Sequence, residues 1–278
     1  MAEAKPVRVV VTGVAGRMGG VLVGAVRQAD DLVLAGATER EGKEVIGLDA
    51  GLVAGAGLTQ VPLRGRLEEA IESADVVVDF TNADASLDHA RVCAERRVPL
   101  VLGSTGFSAS ARAEIAGRAQ AIPIVMAPNM SVGVNVLFRL AGEVAKVLGP
   151  GYDVEILETH HRQKRDAPSG TALRLVEVVA DALGLDPETD VIQARSGSVG
   201  ERPAGKIGVT ALRGGDVVGE HTVFFLGNGE RLELTHKATS RTNFAEGALR
   251  AARWVVLQKP GLYDMTDVLG LSATRNAP

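Results

Sequence analysis

The sequence predicts an α/β protein: an N-terminal doubly wound parallel sheet, joined to a second α+β domain built on a mixed or antiparallel sheet. Three observations carry that expectation. Short apolar runs alternate with helix-like stretches through the first part of the chain, the pattern of βαβ units. A glycine-rich turn directly follows the first of those runs. After Asn129 the rhythm changes to a long helix and then to strand-like runs separated by Gly-rich turns.

Val7 to Val11 is β-branched throughout and bounded by Thr12-Gly13, as expected of a parallel strand buried on both faces. A helix from Met18 to Ala29 and a strand from Leu32 to Ala37 follow. Val76 to Phe80, Leu100 to Leu102 and Ile122 to Met126 are further apolar strands. Helical segments at Ala85 to Glu95 and Ser110 to Ala119 separate them. Val134 to Leu148 reads as one long helix stopped by Gly149-Pro150-Gly151. Beyond it, Val154 to Thr159, Ile207 to Leu212, Thr222 to Leu226 and Leu232 to Thr235 are strand-like. Gly214-Gly215-Asp216 and Gly227-Asn228-Gly229 are expected to be hairpin turns between successive members of that group. Phe244 to Val256 reads as a helix with Ala-rich small faces that returns to the first domain. The expected division is 1–129 joined by a C-terminal helical segment 241–278, with 130–240 as a substrate-binding and oligomerisation domain.

Composition narrows the class. Apolar residues make up 46% of the 278 and charged residues 23%, which excludes a disordered chain. Aromatics are only 3% while Gly numbers 33, so the core is expected to be aliphatic. With 30 basic and 34 acidic side chains and no basic tract, no nucleic-acid partner is expected. The single Cys93 suits a reducing compartment and reads as a small buried hydrophobe in a helix. Met1 to Pro6 lacks the apolar region of a leader, and no run is long enough to span a bilayer. The expected location is cytoplasmic, without a membrane partner.

Gly13-Val14-Ala15-Gly16-Arg17-Met18-Gly19 lies between a strand and a helix, the context that makes a glycine pattern informative. The glycines allow a tight turn and close approach of a pyrophosphate, and the helix start offers N–H groups to its charge. A Rossmann-type site for NADH or NADPH is the expected reading. Glu39 ends the second strand, where an acidic group accepts from an adenosine ribose, and Arg40 beside it can pair with a 2′-phosphate. Solvated loop charges are the plain alternative for both. Later strand ends complete the cleft: Phe80-Thr81, Gly103-Ser104-Thr105-Gly106 and Ala127-Pro128-Asn129-Met130.

The run Glu155 to Ala172 is the most informative. His160, His161 and Lys164 cluster at a strand exit, and adjacent His side chains on a strand point to opposite faces and so serve different purposes. Lys164 offers a cation or an acid. Ser169-Gly170-Thr171 can cap the helix that runs to Leu183, forming an anion cradle. Without a Cys or acidic cluster to complete a tetrahedral set, no metal is expected. An ordinary solvated basic loop and a simple helix cap remain open. Together these groups favour a small, multiply anionic substrate.

The run from Glu155 to Ala172 resembles the signature of the 4-hydroxy-tetrahydrodipicolinate reductase (dihydrodipicolinate reductase) family. Gly13 to Gly19, Gly103 to Phe107, Ala127 to Asn135, Gly214 to His221 and Thr235 to Arg241 support it, so the resemblance covers almost the whole chain. Asn82 departs from the pattern, standing where members often carry a basic residue. The resemblance implies reduction of a cyclic imine dicarboxylate by NADH or NADPH with loss of its hydroxyl as water, on the diaminopimelate route to lysine. It implies that His160 is the proton donor/acceptor and Lys164 a proton donor, and that His161, Gly170 and Thr171 contact substrate, with Ser169 beside them. Gly13, Val14, Ala15, Gly16, Arg17, Met18, Glu39, Arg40, Gly103, Ser104, Thr105, Ala127, Pro128, Asn129 and Met130 are implied to contact cofactor. A homotetramer, and closure about hinges near Asn129 and Ser240, are expected by the same analogy. Two other readings stay open on the glycine loop alone: a dehydrogenase of another amino or imino acid, and a redox sensor that binds dinucleotide without turnover.

Overall fold

In the computed structural model, which describes residues 5–193 and 195–271, β1 (Val7–Val11) lies inside a seven-stranded, all-parallel sheet. The chain divides by contacts into two units, one running to Val132 and resuming at Arg241, the other Gly133–Ser240. The leader reading at Met1 to Pro6 and the far end of the 241–278 segment fall partly outside the described residues.

In the first unit, α1 (Arg17–Gln28), β2 (Leu32–Thr38), α2 (Ala50–Val53), β3 (Leu63–Arg64) and β4 (Val76–Asp79) follow β1. Next come α3 (Ala83–Arg96), β5 (Leu100–Leu102), α4 (Ala109–Arg118) and β6 (Pro123–Met126). With a last strand, β12 (Gly261–Tyr263), at one edge, the spatial order β12-β6-β5-β4-β1-β2-β3 reverses direction at β1/β4, the arrangement of a doubly wound dinucleotide fold.

Why these runs carry no polar alternation is visible in the packing. Val9, Val11, Val76, Val78, Val101 and Val125 face one layer, built on Leu22, Val23 and Val26 of α1. Val10, Val77, Leu100, Leu102 and Ile124 face the other, which holds Ala90 and Cys93 of α3 and Ile115 of α4. Successive residues of one strand thus serve opposite cores, so every position must be apolar. Cys93 is fully buried there. Burial, helped by the nearby Asp79 charge, pushes its thiol well above the usual range.

The C-terminal return is α7 (Thr242–Val255), which buries Ala245, Ala248, Ala251, Ala252 and Val255 in the α1 layer. Gly247 of α7 passes so close that a Cβ would lie 1.8 Å from the Met130 carbonyl oxygen. The segment is not wholly helical, however. After α7 the chain adds β12 (Gly261–Tyr263) parallel to β6 and ends in α8 (Met265–Leu269).

The second unit is two-layered. α5 (Val132–Leu148) leads into β7 (Asp153–His160), α6 (Gly170–Leu183), β8 (Val191–Ile192), β9 (Ile207–Arg213), β10 (Gly219–Leu226) and β11 (Arg231–Ala238). Phe138 and Ala141 of α5 and Leu175 and Val179 of α6 cover Ile156, Val209, Val223 and Phe225 of the sheet. The sheet is mixed, in the order β11-β10-β7-β9-β8: β7 is parallel to β9 and antiparallel to β10. Gly227-Asn228-Gly229 makes the expected hairpin between β10 and β11, closed by Gly227 N–H to the Glu230 carbonyl at 3.0 Å. Gly214-Gly215-Asp216 does not. β7 is inserted between β9 and β10, so that turn crosses over the end of β7 rather than joining paired strands.

Candidate active site

The residues proposed for the cofactor lie at carboxyl strand ends of the first unit, where ligands bind in this architecture, apart from Arg17 and Met18, which open α1. The turn after β1 needs its glycines. Gly13 has φ +65°, and a Cβ on Gly19 would lie 2.1 Å from the Gly13 carbonyl oxygen. Gly16 is the N-cap of α1 and supplies no side-chain cap, so the first-turn N–H groups and the positive end of the helix dipole face the turn. Glu39, just past β2, accepts from Ala15 N–H at 2.9 Å and from Arg40 N–H at 3.0 Å. Its carboxylate is thereby held beside the glycine turn, and Arg40 stands exposed next to it. Gly103, Ser104 and Thr105 follow β5; Ala127, Pro128, Asn129 and Met130 follow β6. The Asn129 carboxamide oxygen accepts from Ser131 N–H at 2.8 Å, which turns the chain there. Asn82, the departure from the family pattern, caps α3 by accepting from Ala85 N–H at 3.1 Å.

The second unit gathers the proton-bearing groups. The buried face of β7 is Val154, Ile156, Glu158 and His160. An acid on that face needs partners, and Glu158, fully buried, has three, which make four hydrogen bonds to it. Its Oε2 lies 2.5 Å from His160 Nδ1 and accepts from Arg213 at 2.7 Å. Its Oε1 accepts from Arg213 at 2.8 Å and from Ser169 N–H at 2.9 Å. Burial alone would raise this carboxyl, but the hydrogen bonds from His160 and Arg213 outweigh it and hold the group at about 2. An ionised Glu158 can only accept, so His160 carries a proton on Nδ1 and turns Nε2 toward the site. Gly219 leaves room there, since a Cβ on it would sit 3.0 Å from His160 Nε2.

His161 and Lys164 lie on the loop after β7, and Lys164 donates to Asp166 Oδ2 at 2.8 Å. That loop is strapped by the crossing turn: His161 N–H reaches the Val217 carbonyl at 2.8 Å and Gly214 N–H the His160 carbonyl at 3.0 Å. Ser169 is the α6 N-cap, accepting from Ala172 N–H at 3.1 Å, with Gly170 and Thr171 in the first turn. Ser169 thus joins the α6 N-terminus to Glu158 and so to His160, with His161 and Lys164 on the loop that connects β7 to α6.

Glu158, Arg213 and His221 lie among these residues and carried no role in the sequence. His221 Nε2 is 3.1 Å from Ser169 Oγ, and its ring meets His160 edge-on at 5.2 Å. Burial, aided by the His160 charge, pushes it down to about 3. Among the described residues no group of three His, Cys, Asp or Glu is arranged to hold a metal.

These two histidine-linked values fix an acid response. His221 stays neutral in the fold down to about 3 but protonates near 6.5 when unfolded, so the unfolded state binds more protons between those values. Stability is full above 6.5 and falls as pH drops through that window, by about 1.4 kcal/mol per pH unit per group. Glu158 adds a second loss between 4.5 and about 2. Urea midpoints taken from about pH 7 down to about pH 4.5 should decline steadily; a flat series would remove this account.

Comparison with known proteins agrees with this architecture. Residues 7–130 match the family model of the dihydrodipicolinate reductase N-terminus, and residues 133–269 that of its C-terminus. The chain belongs to the dihydrodipicolinate reductase family. A family relative in Myxococcus xanthus (strain DK1622), 4-hydroxy-tetrahydrodipicolinate reductase, is 57% identical over 270 residues, spanning 96% of this chain and 99% of that one. A second, from Anaeromyxobacter dehalogenans (strain 2CP-1 / ATCC BAA-258), is 56% identical over 264 residues, with 95% and 98% covered. A dipicolinate-bound dihydrodipicolinate reductase from Paenisporosarcina sp. TG-14 shares the fold at a TM-score of 0.73 and 23% identity, covering 94% of this chain and 98% of that one.

Proposed function

We propose that this member of the family reduces 4-hydroxy-tetrahydrodipicolinate to tetrahydrodipicolinate and water, consuming NADH or NADPH and one proton, on the diaminopimelate route to lysine. The observation that carries the proposal is the joining of His160 and the α6 N-terminus to one buried carboxylate, Glu158, with Lys164 on the loop that connects them. The glycine turn, with no room for a Cβ at Gly19 and an uncapped helix start, fits a pyrophosphate.

Bound reduced nicotinamide supplies the hydride. The chain's own residues do the rest. Gly170 and Thr171 at the α6 N-terminus, with His161, hold substrate carboxylate through N–H groups and charge. His160, its Nδ1 fixed on Glu158, exchanges a proton with the substrate at Nε2. Lys164, steadied by Asp166, supplies a cation and a proton as negative charge leaves the ring. Incubating the pure protein with NADPH and the condensation product of pyruvate and aspartate semialdehyde tests this. Oxidation at 340 nm is expected; its absence at full folding sinks the reading.

Arg40 reads the 2′-phosphate that only NADPH carries. Arg40→Ala is expected to raise KM for NADPH by roughly tenfold, the size of a lost charge-assisted contact, and to leave KM for NADH nearly unchanged. Equal effects on both cofactors remove that role. The chain works in the cytoplasm as a homotetramer. The sheet face opposite α5 and α6, with Leu157 and Phe224 half-buried and Leu212 exposed, supports assembly through the second unit. Light scattering at micromolar concentration distinguishes tetramer from monomer.

A further inference from the structure

Asp79 closes β4 and is fully buried at the end of a Val run, where an ionised carboxylate has no place without strong partners. It has them. His89 of α3 puts Nδ1 2.6 Å from Oδ2. Thr81 donates to Oδ1 through both its N–H, at 2.7 Å, and its hydroxyl, at 2.6 Å. Burial acts to raise this carboxyl, yet His89 and Thr81 together hold it below the usual carboxylate range. From Thr81 the chain of contacts runs on: its Oγ1 is 3.3 Å from Ser86 Oγ, which donates to Ser104 Oγ at 2.7 Å.

Both ends of this chain abut the cofactor loops. A Cβ on Gly13 would meet the Thr81 methyl at 2.8 Å, so Thr81 stands directly against the glycine turn. Ser104 follows Gly103, whose N–H donates to the Asp79 carbonyl at 2.9 Å. The strand order assigns the two halves of the site. β1-β2-β3 carries one mononucleotide half, marked by Glu39 for the adenosine ribose; β4-β5-β6 carries the other. Thr81 and Ser104 sit on that other half, which leaves them the nicotinamide.

We propose that the Asp79–His89 pair is a positioning device for the nicotinamide end of the dinucleotide, holding Thr81 and, through Ser86, Ser104 at a fixed place above the strand ends. The proposal rests on the reading of the first unit as a reduced-dinucleotide site. Neither Asp79 nor His89 touches the reacting atoms; they act through Thr81 and Ser104. A role in stability alone would weaken all nucleotides alike, whereas a positioning role acts only on ligands that carry the nicotinamide.

The test measures NADH and ADP-ribose binding by calorimetry on the full chain. ADP-ribose has the adenosine, pyrophosphate and second ribose but no nicotinamide. His89→Leu is expected to weaken NADH roughly tenfold or more while shifting ADP-ribose less than about twofold. His89→Asn, whose amide can donate to Asp79 in place of Nδ1, should recover most of the NADH affinity. Equal losses for both ligands, no loss for NADH, or no recovery in His89→Asn overturns the proposal. Should His89→Leu fail to fold, Thr81→Val serves, because it keeps the methyl against Gly13 and removes only the hydroxyl. The same selective loss of NADH is expected there, and unchanged NADH affinity overturns the proposal. Failure of the wild-type chain to bind NADH at all overturns the cofactor reading itself, an outcome distinct from the others.

Discussion

Replacing His160 by Gln is expected to lower kcat by roughly 10²–10⁴-fold, the usual worth of a positioned acid–base group. Its affinity for NADH should stay within about twofold, because the residues read as holding the dinucleotide belong to the first unit and His160 to the second. The size follows from the site's construction. Glu158 is ionised and accepts only, so the imidazole proton on Nδ1 is fixed and Nε2 alone exchanges protons with a ligand. Gln fills similar space but offers no ring nitrogen that can exchange a proton with substrate. The glycine turn, Glu39 and Arg40 contact one another within the first unit, without His160. Steady-state kinetics with calorimetric NADH titration check both halves. A mutant with near-normal kcat, or one that has lost NADH binding, contradicts the assignment.

Much of this arrangement was legible in the residues because local signals and tertiary context agreed. Val7 to Val11 could be nothing but a two-sided buried strand, and the glycines after it gained meaning from the helix that follows. The signature from His160 to Thr171 was equally local, since a strand end, a loop and a helix cap all lie within one short stretch. Other features depended on pairings that no local pattern encodes. Gly214-Gly215-Asp216 has hairpin chemistry, but whether a turn joins neighbours depends on which strand inserts between them, and here β7 does. β12 is three residues long, too short for periodicity to mark, and owes its strand conformation to the open edge of β6. Arg213 lies 55 positions from Glu158 and reaches it only because β9 runs parallel to β7 with Arg213 opposite His160. One signal was available. In β7 the apolar residues Val154 and Ile156 set the buried face, and Glu158 falls on it. An acid in that position announces a partnered, ionised group. Asp79 after Val76-Val77-Val78 gave the same warning in the first unit.

Glu158→Gln should therefore be the most damaging conservative change outside the residues that meet substrate. The amide keeps the shape but presents an N–H₂ group as well as an oxygen. With the amide nitrogen toward His160, Nδ1 must accept, the ring proton moves to Nε2, and the neutral imidazole can no longer take a proton from substrate. With the oxygen toward His160, Arg213 and Ser169 N–H lose acceptors they now hold at 2.8 and 2.9 Å. Either way one function is lost. A kcat loss of about 10²–10⁴-fold is expected, as for other imidazoles deprived of an orienting carboxylate. Stability should fall by about 2–4 kcal/mol, less than for a wholly buried pair because the Arg213 side chain is 20% exposed. The two losses are separable. Arg213→Met removes the cation but leaves the Glu158–His160 contact, so it should lower the urea midpoint and spare most of kcat. Near-normal turnover in Glu158→Gln, with only the midpoint reduced, would make Glu158 a structural acid and return His160 to orienting itself.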